Sequence, residues 1–430
     1  MMDTDVRPEY RSEEAFAHEL DREDALARFR DEFHLPTGRD GAPLIYFAGH
    51  SLGLQPKRTR GLIERELDDW AELGVLGHET AATPWYSYHE NFRESGARLV
   101  GAEPGEVVMM NSLTVNLHLM LVSFFRPTEE RHAILMEAPA FPSDMYAIQT
   151  QLRHHGLDPA GSLITVGPRE GEHTVRSEDI ERILAERGET IATVLLGGVN
   201  FLTGQLFDMP RITAAARRHG CSVGFDIAHA AGNVELHLHE WDVDFAVWCN
   251  YKYINSGPGA IGGCFVHERH GSQSELPRFG GWWGNDPDTR FRMHLNPSFE
   301  PVPSAESWQL SNPSIFAMTP LLGSIAIFDE AGMPALRRKS ERLTGYLEYL
   351  VDQIPGERYE IITPRDPGQR GCQLSLLVHQ DAHECERALQ EAGVICDFRE
   401  PNVIRAAPTP LYNTFHEVWR FARVLAGVSG

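Results

Sequence analysis

Between residues 132 and 250, short apolar runs alternate with segments of helical character, and this order limits the possible folds more than any other feature. The runs are HAILMEA (132–138), SLITVG (162–167), TIATVLLGGV (190–199), CSVGFDIA (221–228) and DFAVWCN (244–250). Apolar runs separated by helix-length segments are typical of βαβ units, whose strands are buried on both faces. The sequence therefore predicts an α/β protein with a large domain built on a mostly parallel sheet covered by helices.

The two ends of the chain carry different patterns. Residues 11–34 predict a polar helix, and the segment after residue 320 predicts a long helical stretch followed by short strands and one more helix. Residues 276–320 are rich in Gly, Trp, Pro and Asn, which favours a long functional loop. We expect an N-terminal segment (1–55) that joins a smaller α+β domain (323–430), with the large domain spanning residues 56–322.

Composition and charge exclude several function classes. Asp and Glu (61) outnumber Lys and Arg (39), which gives a formal net charge of −22. Such a chain repels polyanions, so we expect neither a nucleic-acid nor a membrane partner. There is no apolar run of transmembrane length, and the acidic N-terminus does not resemble a signal peptide. The six cysteines form no CxxC pair, which favours a reduced, cytoplasmic protein without a metal site.

An acid and a lysine follow two neighbouring buried strands of the predicted sheet. Asp226 ends the run SVGFD, and Lys252 comes shortly after the run FAVWC, 252 − 226 = 26 residues later. The carboxyl ends of parallel strands meet at one edge of a sheet, where ligands bind. Pyridoxal phosphate uses a lysine as its Schiff-base partner and a carboxylate at its pyridine nitrogen. On spacing alone, a structural ion pair remains an equal alternative.

Other residues near these strand ends favour the cofactor interpretation. Ser112-Leu-Thr is a strand-to-helix turn whose free helix N-terminus could bind phosphate. Phe141 begins FPSD after another buried strand and could stack on a planar ring, although it could equally fill the core. His229 could pack beside that ring, or be an ordinary structural histidine. Tyr251 precedes Lys252 and can reach the same site if the chain turns there.

Long segments of the chain resemble the kynureninase family of fold-type-I pyridoxal-phosphate enzymes. These are YFAGHSLGLQPK, NSLTVNLHLML, EAPAFPSDMYAI, GFDIAHAAGNVELHLHEWDVDFAVWCNYKYINSG, GGWWG, LSNPS and IRAAPTPLYNTFHEV, in the family's order over roughly residues 40–425. The resemblance implies hydrolysis of the Cβ–Cγ bond of L-kynurenine or L-3-hydroxykynurenine, which yields anthranilate or 3-hydroxyanthranilate and L-alanine. It also implies a homodimer that shares its active sites and pyridoxal 5′-phosphate as cofactor.

The resemblance also implies roles for individual residues. Lys252, Tyr251 and Asp226 would be catalytic, Tyr251 as a general acid or base with a lowered pKa or mainly as a phosphate ligand. Further cofactor contacts would come from Leu113, Thr114, Phe141, Pro142, Ser143, Asp144, His229, Trp282 and Asn312. Substrate contacts would come from Ser51, His78, Asn312 and Arg405, with the arginine gripping the α-carboxylate. Two positions depart from the family's pattern: Gly197 stands where Ser or Thr is frequent, and His50 where Asn is frequent.

The ring substituent and the pathway stay open at this stage. His78 in GHE and Asn312 in SNP resemble family members that favour the 3-hydroxy substrate, so the sequence favours 3-hydroxykynurenine. Breakdown of tryptophan, NAD biosynthesis and secondary metabolism all remain possible.

Three other functions are weighed against this one. A cysteine desulfurase or an aminotransferase would share Asp226 and Lys252, but a desulfurase needs a reactive cysteine, and Cys372 is a poor candidate. A serine hydrolase would use Ser51 in GHSLG, which matches the nucleophile-elbow pattern G-x-S-x-G. A non-catalytic binding protein would be colourless.

Overall fold

The computed structural model describes residues 9–273, 275–295 and 297–428. Its centre is a seven-stranded sheet with the strand order β2-β8-β7-β6-β5-β3-β4. Five neighbouring strands, from β7 to β4, run parallel, whereas β8 is antiparallel to both β7 and β2. The mostly parallel α/β sheet is thereby confirmed. The strands are β1 (Ile45–Tyr46), β2 (Val107–Met109), β3 (Ala133–Glu137), β4 (Leu163–Val166), β5 (Ile191–Gly197), β6 (Ser222–Asp226), β7 (Phe245–Cys249), β8 (Gly262–Val266), β9 (Tyr359–Ile361), β10 (Leu374–Val378), β11 (Val394–Ile395), β12 (Asp397–Arg399) and β13 (Val403–Ala406).

Helices connect and cover these strands. Side chains of β3, β7 and β8 are buried throughout, as expected for a sheet with helices on both faces. The helices are α1 (Glu14–Arg22), α2 (Thr59–Leu73), α3 (Gly77–Thr80), α4 (Arg93–Val100), α5 (Leu113–Phe124), α6 (Pro142–His154), α7 (Pro159–Ser162), α8 (Ser177–Arg187), α9 (Met209–Arg218), α10 (Glu268–Gly271), α11 (Ile315–Ala331), α12 (Met333–Asp352), α13 (Ala382–Glu391) and α14 (Phe415–Gly427).

A second hydrophobic core lies around a four-stranded antiparallel sheet with the order β12-β13-β10-β9. Phe16 and Leu20 of α1 pack in this core with Leu347 of α12 and Phe421 of α14, so the N-terminal segment joins the C-terminal elements. The expected boundary at residues 322 and 323 falls inside α11, whose Met318 and Ile325 belong to the core of the large sheet. The division into 1–55, 56–322 and 323–430 stays a prediction.

Two expected helices differ from the structure. Residues 11–34 form α1 and then a separate 3-10 turn at Ala27–Glu32, because the Asp24 side chain accepts the N–H of Leu26 (2.9 Å) and turns the chain. The long helical stretch after residue 320 begins earlier, at Ile315, and is broken at Gly332, whose φ of +74° ends α11.

The described residues between 276 and 314 contain short 3-10 turns and loop, as expected, whereas the last part of the expected loop (276–320) belongs to α11, which begins at Ile315. Within the described ranges, no single helix has both the length and the apolar character to cross a membrane; α11 and α12 pass that test only as a pair bent by 80°.

Candidate active site

A cleft of about 520 Å³ opens at the carboxyl ends of β3, β5 and β6, beside the loop that follows β7. The N-termini of α5 and α6 face it from the other side. This is the edge of a parallel sheet at which ligands bind. The residues that line the cleft are Leu113, Thr114, Glu137, Phe141, Ser143, Asp144, Gly197, Val199, Phe201, Asp226, Ala228, His229, Tyr251 and Lys252.

Lys252 enters the cleft from a loop that is fixed by hydrogen bonds. The N–H of Asn255 donates to the Lys252 carbonyl (3.0 Å), and the N–H of Gly53 donates to the Tyr251 carbonyl (2.8 Å). Gly53 must be glycine here, since a Cβ would lie 2.3 Å from the Lys252 carbonyl oxygen. The GHSLG turn therefore supports the lysine loop. The Lys252 ammonium lies 5.7 Å from the centroid of the Phe141 ring, and both residues line the cleft.

Asp226 ends β6 and points its carboxylate into the same cleft. Its Oδ1 accepts the N–H of Ala228 (2.8 Å). Burial raises the pKa of Asp226, while the Lys252 ammonium works against that rise. Burial and then the charge of Asp226 raise the pKa of Asp144 well above its usual range, so the protonated form of Asp144 is favoured and can donate a hydrogen bond to Asp226. Among the described residues, Asp144 Oδ1 has no hydrogen-bond partner.

The opposite end of the cleft is suited to an anion. Thr114 stands in the first turn of α5 and Ser143 in the first turn of α6, and their hydroxyls lie 2.9 Å apart. The N-terminus of α5 presents free backbone N–H groups, and α6 adds that of Ser143, since Pro142 has no N–H and the Asp144 N–H donates to the Phe141 carbonyl. Both helix N-termini carry positive partial charge. These residues fit pyridoxal phosphate: its aldehyde at Lys252, its pyridine nitrogen at Asp226 and its phosphate at the two helix starts.

Two further residues near Lys252 are held in defined charge states. Burial, together with Lys252 and His50, lowers the pKa of His229 well below its usual value, so the imidazole is neutral. His50 lies 6.3 Å from His229 between ring centroids, and neither of its ring nitrogens has a partner within the described residues. The expected lowering of the Tyr251 pKa is wrong for this chain, because burial and the neighbouring Cys249 raise it.

Several residues assigned by the resemblance lie outside the lining of this cleft. Trp282 packs on Trp283 and Phe291 (ring centroids 4.8 and 6.0 Å), while Asn312 and Ser51 are exposed. His78 is half-buried beside Trp85, and its Nδ1 lies 3.0 Å from the Val75 carbonyl. Pro142 is the first residue of α6, between Phe141 and Ser143, which do line the cleft.

Arg405 is buried next to the cleft rather than in its lining. Its Nε and a terminal guanidinium nitrogen contact Asp397 Oδ2 at 2.7 and 2.6 Å, and another donates to the Phe201 carbonyl (2.5 Å). The Phe201 side chain itself lines the cleft. A carboxylate at Arg405 would therefore share the guanidinium with Asp397.

Four lining residues were missed by the sequence interpretation as contacts: Glu137, Val199, Phe201 and Ala228. Glu137 could have been found, because it is an acid at the end of a buried strand, just as Asp226 is. The other three have no chemically distinctive side chain that the sequence would single out. They line the cleft because the folded backbone passes beside it.

The structure also bears on the rival functions. Cys372 is fully buried, and burial raises the pKa of its thiol to about 12, so it does not offer the accessible thiolate of a desulfurase. The Ser51 hydroxyl makes no hydrogen bond to a histidine in the part of the chain that the structure describes. A serine nucleophile needs such a base within reach.

Comparison with known proteins gives a consistent family. Residues 336–425 match the kynureninase C-terminal domain, and residues 73–237 match the DegT/DnrJ/EryC1/StrS aminotransferase family. Kynureninase of Myxococcus xanthus is 56% identical over 97% of this chain and 98% of its own length. Kynureninase of Koribacter versatilis is 57% identical over 95% of this chain and 96% of its own length.

Solved structures establish the same fold at low sequence identity. The apo cysteine desulfurase of Thermococcus onnurineus NA1 has a TM-score of 0.72 and 19% identity, and covers 89% of this chain and 94% of that one. A C-DES variant with glycine linked covalently to the PLP cofactor has a TM-score of 0.76 and 18% identity, covering 93% and 99%. Fold type I and the full-length relatives lead to one conclusion: this chain belongs to the kynureninase family and is a hydrolase that depends on pyridoxal phosphate.

Proposed function

We propose that the chain hydrolyses the Cβ–Cγ bond of a kynurenine in this cleft, with a preference for L-3-hydroxykynurenine. The observation that carries the proposal is the placement of Lys252, Phe141 and Asp226 around one opening. An amine, a ring to stack on and a strand-end carboxylate are what pyridoxal phosphate requires of a protein.

When bound, pyridoxal phosphate supplies an electron-accepting ring. Asp226 would accept a hydrogen bond from the ring nitrogen, and Asp144 would hold Asp226 in place by donating to it. Phe141 would cover one face of the ring and exclude water. Thr114 and Ser143, at the starts of α5 and α6, would hold the phosphate.

Lys252 is the base that moves the proton of the substrate. Its Nζ would take the proton from the substrate Cα, and Asp226 would favour the loss of that proton by keeping the ring nitrogen of the cofactor protonated. Water adds to the γ-carbonyl and the Cβ–Cγ bond breaks, which yields the aromatic amino acid and L-alanine. Tyr251 lies next to Lys252 in sequence and also lines the cleft. Its raised pKa makes it a proton donor, so we assign it the protonation of the γ-oxygen or of Cβ, or a phosphate contact.

Substrate recognition depends on residues around the rim. Arg405 would bind the α-carboxylate through its guanidinium, which the carboxylate would share with Asp397 and the Phe201 carbonyl. His78 and Asn312 would read the 3-hydroxyl group, with Ser51 nearby in the GHSLG turn. Two of these four are exposed and one is half-buried in the single chain, so they have room to meet a ligand.

A homodimer explains why Trp282 and Asn312 do not line the cleft of their own chain: in this proposal they complete the partner's site. Large apolar side chains are exposed, including Val75 (79%), Leu295 (72%), Tyr146 (65%) and Trp70 (59%). We propose that some of these side chains are buried between the two subunits. A cytoplasmic location stays a prediction from composition.

The first test replaces the lysine. Lys252→Ala is expected to abolish hydrolysis and the visible absorbance of the bound cofactor. In the absence of cofactor, the variant should melt at the same temperature as the native protein. Lys57→Ala, at an exposed position outside the cleft, is the matched control and keeps both properties. A Lys252→Ala protein that still hydrolyses kynurenine at the normal rate would refute the proposed mechanism.

The second test concerns the ring substituent. Values of kcat/KM for kynurenine and 3-hydroxykynurenine are compared in the native enzyme and in His78→Ala and Asn312→Ala. Loss of a hydrogen bond to the hydroxyl should lower the preference by about 5- to 10-fold, since a neutral bond contributes about 1 kcal/mol. Nearly equal values in the native enzyme would remove the proposed preference.

The third test asks whether the sites are shared. Lys252→Ala and Asn312→Ala chains are inactive or weak alone; mixed after dissociation, they should form heterodimers with one intact site and regain activity. The double variant mixed with native chains should lower the activity of the native chains by about half, because the heterodimers formed have no intact site. No regained activity in the first mixture, together with no loss of native activity in the second, would contradict a shared site.

A further inference from the structure

Glu137 is a buried acid in the cleft to which the proposed mechanism gives no role. It ends β3, is 4% exposed and lines the same opening as Lys252 and Asp226. Both carboxylate oxygens accept the backbone N–H of Gly197, at 3.1 and 3.2 Å. Since one N–H serves two oxygens, the carboxyl keeps unused hydrogen-bonding capacity on the side of the cleft.

The sheet places Glu137 behind Asp226. Strand β5 lies between β3 and β6, and its last residue, Gly197, is the register partner of Asp226. The peptide of Gly197 therefore stands between the two carboxyls. A Cβ at position 197 would lie 3.0 Å from Glu137 Oε1, so the absence of a side chain leaves the carboxyl room to reach that peptide.

Three carboxyls share this end of the cleft, and Lys252 is the cation among the lining residues. Burial, with a contribution from Asp226, raises the pKa of Glu137 to about 7. Burial and Asp226 raise the pKa of Asp144 well above its usual range, so the protonated form of Asp144 is favoured. The negative charge at this end of the cleft then belongs to Asp226 and, in part, to Glu137, and a ring N–H⁺ placed against Asp226 would favour the ionised form of Glu137.

We propose that Glu137 is a positioning residue for the cofactor, acting through Asp226: its carboxyl adds negative charge behind the carboxylate that receives the ring nitrogen. This inference rests on the proposed role of Asp226. An ionised Glu137 strengthens the field that holds the ring nitrogen protonated, and a neutral side chain at position 137 weakens it. The groups that face it are Asp226 on β6, Asp144 on α6 and Lys252 after β7, with His229 and Tyr251 on the same cleft wall.

The test uses Glu137→Gln, which keeps shape and an acceptor for Gly197 but removes the charge. Two readouts are measured in the loaded enzyme: the dissociation constant of pyridoxal 5′-phosphate and the pH midpoint of the visible absorbance of the bound cofactor. We expect the dissociation constant to rise about tenfold and the midpoint to fall by about one pH unit, since one unit corresponds to a tenfold change.

Companion variants separate this role from a structural one. Glu137→Asp keeps the charge, so its pH midpoint should lie close to that of the native enzyme. Gly197→Ala displaces the carboxyl without removing it and should shift the midpoint in the same direction by less. Glu306→Gln removes another buried glutamate, one paired with Arg93 outside the cleft, and should leave the midpoint unchanged.

The outcomes distinguish this inference from the proposed function. A native enzyme that binds the cofactor and cleaves kynurenine, with a Glu137→Gln midpoint and dissociation constant equal to those of the native enzyme, would overturn the inference alone. A lower melting temperature with an unmoved midpoint would do the same, because it would show a structural role only. A native chain without cofactor absorbance would overturn the proposed function itself.

Discussion

Glu137 and Glu306 are both buried, each 4% exposed, but their surroundings favour opposite charge states. Glu306 lies in a 3-10 turn beside α10, where Arg93 contacts its carboxylate at 2.5 Å and His89 at 3.7 Å. Burial alone would raise its pKa, but the nearby His89 imidazole and the hydrogen bond from Arg93 outweigh burial and lower it to about 2. Burial, with a smaller contribution from the charge of Asp226, raises the pKa of Glu137 to about 7.

The difference separates a structural acid from one available to a ligand. The Glu306 carboxylate is paired with cationic groups of the protein, and it anchors the loop before α11. The carboxyls of the cleft lack such dedicated partners in the described chain, so their charge is free to act on a bound cation. Four predictions follow from this contrast.

The largest effect is expected on turnover. Asp226→Ala should lower kcat by about 10²- to 10³-fold, because it removes a fixed charge aimed at the reacting system. Glu306→Gln should keep its turnover per folded molecule. Steady-state kinetics with kynurenine on both variants, normalised to bound cofactor, measure this. An Asp226→Ala enzyme with native kcat would break the contrast.

The next effect is expected on stability. Glu306→Gln should lower the free energy of unfolding by about 3 kcal/mol, because it leaves the Arg93 guanidinium and His89 without their carboxylate in a buried site. Urea denaturation measures the change, with Glu306→Asp as the variant that keeps the charge. If Glu306→Gln lowered the free energy of unfolding by less than the loss of an exposed ion pair does, Arg93 would have to pair with another group in the variant.

The two glutamates should also give opposite pH dependence in the cofactor-free protein. The folded pKa of Glu306 (about 2) lies below its unfolded value near 4.5, so its contribution of about 3 kcal/mol is present above pH 4.5 and lost as the pH falls toward 2.

The folded pKa of Glu137 (about 7) lies above its unfolded value of 4.5, so stability is highest below pH 4.5, falls as the pH rises from 4.5 to about 7 and levels off above that. Glu137→Gln should therefore come closest to the native protein below pH 4.5 and exceed its unfolding free energy by up to about 3 kcal/mol at pH 8. Parallel curves for both proteins from pH 5 to 8 would contradict this.

The smallest effect is expected where an acid is exposed. Glu64 and Arg60 form an i,i+4 pair on α2 at 3.5 Å, with side chains 58% and 80% exposed. Glu64→Gln should change the unfolding free energy by less than about 0.5 kcal/mol, because water screens such pairs. Glu64→Gln serves as the baseline for the variants of both buried glutamates. If it lowered the free energy of unfolding as much as Glu306→Gln does, burial would not explain the effect at Glu306.

Much of the fold and part of the site could be predicted from the sequence. The five parallel strands were readable because each is an apolar run, and Asp226 and Lys252 were readable because they follow such runs. The break at Gly332 and the turn at Asp24 were missed, since one local residue overrode a helical pattern. Trp282, Asn312 and His78 were assigned by resemblance, and the structure of one chain leaves them outside its own cleft lining.

The sequence by itself determined the alternating layers and the strand ends at which chemistry could gather, because hydrophobic periodicity and chain turns are local properties. Only the tertiary structure decided that Glu137, 60 residues before Gly197, reaches across β5 toward Asp226 while Glu306 meets Arg93. The charge state of a buried acid depends on which groups the fold brings within a few ångströms of it, and those groups lie far apart along the chain.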